Sequence, residues 1–168
     1  MGREPALDPR RERRAERIGA AAYGTVLVLT ALALVEVTDV GTGHGVELVA
    51  GVGVATWIAH LFAELLAEHV RHDRPLTWAQ VTAAAADGSP IFIVTVLPAL
   101  ALLLGSVDLV SDETARTLAI LLALAQLSLI GAVVGRLSPT TTSSAWGFAA
   151  VVAAAGIVVV GLEVALGH

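Results

Sequence analysis

The sequence predicts an all-α fold, an integral membrane bundle of five transmembrane helices with the N-terminus cytoplasmic and the C-terminus outside. Three observations carry this expectation. Hydrophobic residues make up 56% of the chain and charged residues 15%, with a mean hydropathy of +0.80, a balance foreign to soluble domains. Five apolar segments, at 18–37, 46–67, 91–107, 117–134 and 145–162, each approach the roughly 20 residues that cross about 30 Å of hydrocarbon. With the N-terminus inside, Arg3, Arg10, Arg11, Arg13, Arg14, Arg17, Arg71, Arg74 and Arg136 all fall on the cytoplasmic side and Arg116 alone falls outside, in a chain without lysine. That split obeys the positive-inside rule.

Residues 1–17 form an Arg-rich cytoplasmic segment, and 18–168 the transmembrane domain. Glu4, Asp8, Glu12 and Glu16 dilute the arginines, so this flank reads as an outward continuation of the first helix and not as a nucleic-acid surface. The apolar run that follows is longer than the 7–15 residues or so of a signal-peptide core, which favours a retained span. Tyr23, Gly24, Thr25 and Thr30 in it suit helix packing. The stretch TDVGTGHG reads as a short turn joining antiparallel neighbours.

After the second span, residues 71–89 make the longest connection. Within it, 75–87 reads as a short interfacial helix with Trp78 at the headgroup level. Asp87, Gly88, Ser89 and Pro90 then supply a cap and a helix start. Pro98, in the middle of the third span, removes a backbone bond and is expected to kink the helix near 94–96, freeing carbonyls for a cavity. The fourth span carries Gln126 and Ser128 and ends in a small-residue pattern at Gly131 and Gly135. Trp146 anchors the fifth, another small-residue segment. The outer side gathers Glu36, Asp39, Glu47, Asp108, Asp112, Glu113 and Glu163, either as solvated loop ends or as a vestibule that attracts cations.

The candidate functional stretch is 55–72, ATWIAHLFAELLAEHVRH. His60, Glu64 and Glu68 recur every four residues and so share one slowly drifting helical stripe. Ala55, Ala59, Ala63 and Ala67 form a second stripe, which is expected to let another helix approach closely. An ionisable residue inside a bilayer costs roughly 2.5–3.5 kcal/mol on insertion scales, so a transport path or proton relay is the first functional expectation. Imidazole nitrogen and carboxylate oxygen suit Fe, Mn, Zn or Co as a divalent substrate, and the same groups can pass protons. His69 and His72 would extend the cytoplasmic mouth of such a path.

Other classes are poorly served. The absence of cysteine excludes disulfides, thiolate metal sites and cysteine nucleophiles. GxSxG, HExxH and GxxxxGK[ST] motifs are all missing, so no catalytic residues are assigned, no enzyme is expected and an ATP-driven pump would need a partner. Haem ligation by His60 lacks a second mid-depth histidine in another span. No permanently bound cofactor is expected.

The order of segments also resembles the vacuolar iron transporter family: five spans, an acid in the cytoplasmic half of the second at Ala63-Glu64-Leu65, Ser89-Pro90 before a third span containing Pro98, and Gly131 to Leu137 before a polar turn and a small-residue span. The first span departs from the family pattern, with Ala22-Tyr23-Gly24 where an Asn-Asp-Gly type stretch would stand. The long acidic insert found in many members between the second and third spans is also missing. The resemblance implies a homodimer that exchanges a divalent cation for protons at its interface, with Glu64 the one functional position carried over. Together these readings give a multi-pass inner (plasma) membrane homodimer that moves a divalent metal or protons along the second helix. Its partners are the lipid bilayer and a second copy, not nucleic acid. The alternative is a non-transporting membrane scaffold or partner subunit.

Overall fold

The four described apolar segments fold into helices that each begin earlier than hydropathy alone assigns them, while the first stops at Leu34, short of the expected 37. The computed structural model describes residues 9–72, 75 and 77–137, and the side chains of 13–71, 75 and 77–136. Along these residues run α1 (Pro9–Leu34), α2 (Val37–Gly41), α3 (His44–His72), α4 (Trp78–Asp87), α5 (Ser89–Ser106) and α6 (Asp112–Leu137), with no strand among them. Four stretches, Arg13–Leu34, His44–Arg71, Ser89–Ser106 and Asp112–Arg136, are long and apolar enough to cross a membrane. The described chain is therefore all-helical, and its four long apolar helices make it a multi-pass membrane protein. The fifth expected span, 145–162, lies outside the described residues.

Local chemistry explains the boundaries. Arginine and glutamate are good helix formers, so α1 reaches back through the charged flank, as expected. The turn-like reading of TDVGTGHG is corrected: it holds the short helix α2, started by a reciprocal box between Glu36 and Asp39, in which the Glu36 N–H donates to Asp39 Oδ2 at 2.9 Å. Gly43, at φ 79°, then turns the chain into α3. Thr77 and Gln80 box the start of α4 in the same way. The cap expected from Asp87 and Ser89 is also corrected. Gly88 occupies the cap position of α5 with no side-chain bond, while the Ser89 hydroxyl donates backward to the Ala86 carbonyl at 2.7 Å. Pro90 sits in the first turn, where a missing N–H costs nothing. The fourth span starts earlier than expected because Ser111 Oγ accepts from the Thr114 N–H at 3.3 Å, and Asp112 and Glu113 complement the helix dipole.

α1 and α5 lie at the centre. α5 packs on α6, α1 and α3, whereas α3 and α6 flank the pair and do not meet each other among the described residues. Glycines set the closest approaches: Gly24 lies against Ile91, Gly53 against Thr95, and Gly105 against Val40 and Ala115. Of the alanine stripe, Ala55, Ala59 and Ala63 are exposed and Ala67 is half-buried in the described chain, where α3 packs through Gly45, Val49, Gly53 and Thr56 instead.

The densest packing gathers at the end of the bundle that holds α2. Val28, Leu32, Val35, Val40, Val49, Leu102 and the Ala115, Ala119, Ala123 ladder form one buried cluster there. Beyond Thr56 no residue of α3 is fully buried, nor is any residue of α6 beyond Leu127 among those described. Among the described residues, α3 and α6 are thus well covered at one end and more loosely packed at the other, where Ala20, Ala84, Gly88 and Ile91 of the remaining helices are still buried. At the well-covered end, Arg116 Nε donates to the Val35 carbonyl at 2.7 Å, satisfying a backbone group just past the end of α1. Arg116→Leu is expected to destabilise the protein by about 1–3 kcal/mol, because a carbonyl loses its charged donor. Reversible unfolding in mixed micelles checks this.

Candidate functional site

The inward face of α3 continues from Thr56 to His60 and Glu64, in the loosely packed half. There it meets the junction of α4 and α5. A Cβ placed on Gly88 would lie 3.1 Å from His60 Cδ2 and 3.2 Å from Trp57 Cδ1, so the glycine makes room for both rings. Trp57 Nε1 donates to the Ala85 carbonyl at 3.1 Å, joining α3 to the last turn of α4. The short helix α4 packs mainly on α3, so the loss of this bond is felt locally. Trp57→Phe is expected to cost about 0.5–1.5 kcal/mol. Faster amide hydrogen exchange in α4, with little change in α1, is the accompanying result.

His60 and Glu64 form a pair, with Nε2 and Oε2 4.0 Å apart and each side chain about one third exposed (34% and 35%). Glu64 Oε2 is nevertheless covered and makes no hydrogen bond, which is unusual for a carboxylate oxygen in such a position. The charges that reach Glu64 come from His60 and Arg71 on its own helix, from Asp87 at the end of α4, and from Glu16 on α1. Three helices therefore bring ionisable groups toward one carboxylate.

Glu68 leaves the ladder. Its Oε1 accepts from Gln80 Nε2 at 3.3 Å, and its Oε2 lies 3.9 Å from an Arg71 guanidinium nitrogen. Glu68 is thus tied to α4, one helical turn beyond the His60–Glu64 pair. His69 is exposed, and the His72 side chain lies outside the description. Pro98 is fully buried inside an α5 that runs unbroken from Ser89 to Ser106, with its ring packed in the bundle. Among the described residues, no three His, Asp or Glu side chains come together as a metal-binding group.

Sequence reasoning did not find Trp57, Gln80, Asp87 or Gly88 as neighbours of the ladder. Trp57 could have been found from its three-residue spacing to His60 on the same helix, while the signal for Gln80, Asp87 and Gly88 was only the closeness of the 75–87 segment to the end of α3 along the chain. Gln126, noted as a polar residue in the fourth span, has a covered Oε1 without a hydrogen bond, but sits on α6, away from α3. Comparison with known proteins finds no matching family model, no matching curated protein and no matching solved structure.

Proposed function

We propose that the chain is a transporter-like membrane protein that moves protons, or a divalent cation in exchange for protons, along α3. The observation that carries this reading is the Glu64 carboxylate, held inside a spanning helix with one oxygen covered and without a hydrogen bond, beside the His60 imidazole. In the proposed path a proton passes between His60 Nε2 and Glu64 Oε2 after a small closure of their separation, and Glu68 at the cytoplasmic mouth hands it to solvent. Each side chain of the pair is about one third exposed, which gives water access to it.

Proton movement is the version this geometry supports best, since a single described chain offers two adjacent donors and a metal ion needs more. Movement of Fe(II) or Mn(II), the substrates implied by the vacuolar iron transporter resemblance, would need further ligands from a second copy. The outward stripe of Ala55, Ala59 and Ala63 beside the ladder suits such a homodimer. The proposed topology is five spans in the inner membrane, N-terminus cytoplasmic and C-terminus outside. Arg13, Arg14, Arg17, Arg71 and Arg136 at one end of the described bundle, against Arg116 at the other, support that orientation.

The test is flux of protons, Fe(II) and Mn(II) into proteoliposomes of the full chain. Flux of any of them above empty liposomes supports the proposal. No flux of any kind sinks it. The outward small-residue stripe would then favour the scaffold or partner-subunit reading, in which Glu64→Gln weakens assembly.

A further inference from the structure

The loosely packed end of the bundle also holds an open cavity of about 580 Å³ between α1 and α6. Arg13, Arg14 and Arg17 line one wall, and Leu129, Ile130 and Val133 line the other. Arg17 lies three residues from Arg14 and four from Arg13, so the three fall within about 100° of one another around α1 and all line the same cavity. Among the described residues, none of them is ion-paired with a carboxylate. Among the described residues Asp87 is the one acid in the lining, so these residues carry two net positive charges. The opposite wall is aliphatic and open, with Leu129 66% and Val133 39% exposed.

We infer that this cavity binds the headgroup of an anionic glycerophospholipid. Guanidinium forks match phosphate oxygens in geometry and charge. Ile18 and Ala21, one turn further along α1, continue the arginine face as an apolar floor toward the membrane interior. The site therefore has the polarity sequence of a phospholipid, phosphate at the arginine tier and acyl chain along Leu129 and Ile130. A zwitterionic choline headgroup would place an added cation among three arginines, so the cavity selects against it. Basic residues flanking a span are also where the field of an anionic leaflet acts. The arginine tier is separate from the His60–Glu64 pair, Asp87 alone bordering both, and lipid binding there does not depend on transport.

Native mass spectrometry of the full chain in neutral detergent, titrated with phosphatidylglycerol or phosphatidylcholine, tests the assignment. Phosphatidylglycerol is expected to bind at least ten-fold more tightly than phosphatidylcholine. The Arg13→Gln, Arg14→Gln, Arg17→Gln triple variant is expected to lose that preference, and Asp87→Asn to strengthen it. Leu129→Asn, an exposed substitution that leaves every arginine in place, is expected to weaken phosphatidylglycerol binding as well. A triple variant that keeps the preference overturns the inference. Competition by millimolar inorganic phosphate as effective as that by lipid also overturns it, since the cavity would then be a site for small anions. Should the triple variant fail to fold, Asp87→Asn and Leu129→Asn decide, and two unchanged affinities count against the lipid.

Discussion

Glu64→Gln is expected to bring flux through the protein down by at least an order of magnitude, to the level of empty liposomes, while folding and assembly persist. The amide has the shape of the carboxylate and can be solvated in the same place, but it neither accepts nor releases a proton at neutral pH. Removing an ionisable group from a membrane span also removes a cost, so stability should stay level or rise. His60→Ala is expected to act in the same direction and leave more residual flux, because water can take the place of the ring beside a Glu64 that is about one third exposed. Glu68→Gln should have the smallest effect, about two-fold, since the amide keeps an oxygen for the Gln80 donor. The order Glu64, His60, Glu68 is the discriminating result. Proteoliposome flux with a pH-sensitive dye, paired with size-exclusion profiles of each variant, measures it. A Glu64→Gln protein that transports normally would remove this residue from the path, and one that falls apart into smaller species would favour the scaffold.

The spanning helices were legible because hydropathy integrates over a whole helix, and four described stretches answer to four of the expected segments. The outward extension of α1 was legible too, from helix-forming arginines and glutamates. The α2 turn was misread because its glycines signal a stop, while the box that starts it depends on Glu36 and Asp39 closing on each other's backbones. The alanine stripe shows the larger limit. Periodicity establishes that Ala55, Ala59 and Ala63 share a face, but the neighbour that a face meets is decided by chain segments far away. Here Thr95 and the α4–α5 junction take the adjacent face, so His60 turns inward and the alanines outward. The same reason hid Trp57 and Ala85, whose bond joins residues on separate helices. The His60–Glu64 pairing, in contrast, follows from four-residue spacing within one helix, and the sequence displays it directly.

Gly53→Ala is expected to destabilise the protein by about 1–3 kcal/mol and to lower flux, although alanine is the better helix former by about 1 kcal/mol. A Cβ at this position would lie 2.5 Å from both Thr95 Cγ2 and Thr95 Oγ1, and 2.8 Å from Thr95 Cβ. Thr95 has little freedom to move aside. It is 4% exposed, β-branched, and its hydroxyl donates to the Ile91 carbonyl at 2.9 Å. The strain must therefore be relieved by pushing α3 away from α5. His60 sits on the same face two turns further along α3, so that displacement carries the His60–Glu64 pair away from the α4–α5 junction. Gly51→Ala is the control, because nothing lies within 4 Å of a Cβ there. It should be neutral, or stabilising by up to about 1 kcal/mol, with flux unchanged. Thr95→Ala in the Gly53→Ala background removes the two closest atoms and should restore part of both stability and flux. Equal unfolding free energies for Gly51→Ala and Gly53→Ala would mean that α3 and α5 do not meet at Gly53, and that the inward orientation of His60 has another cause.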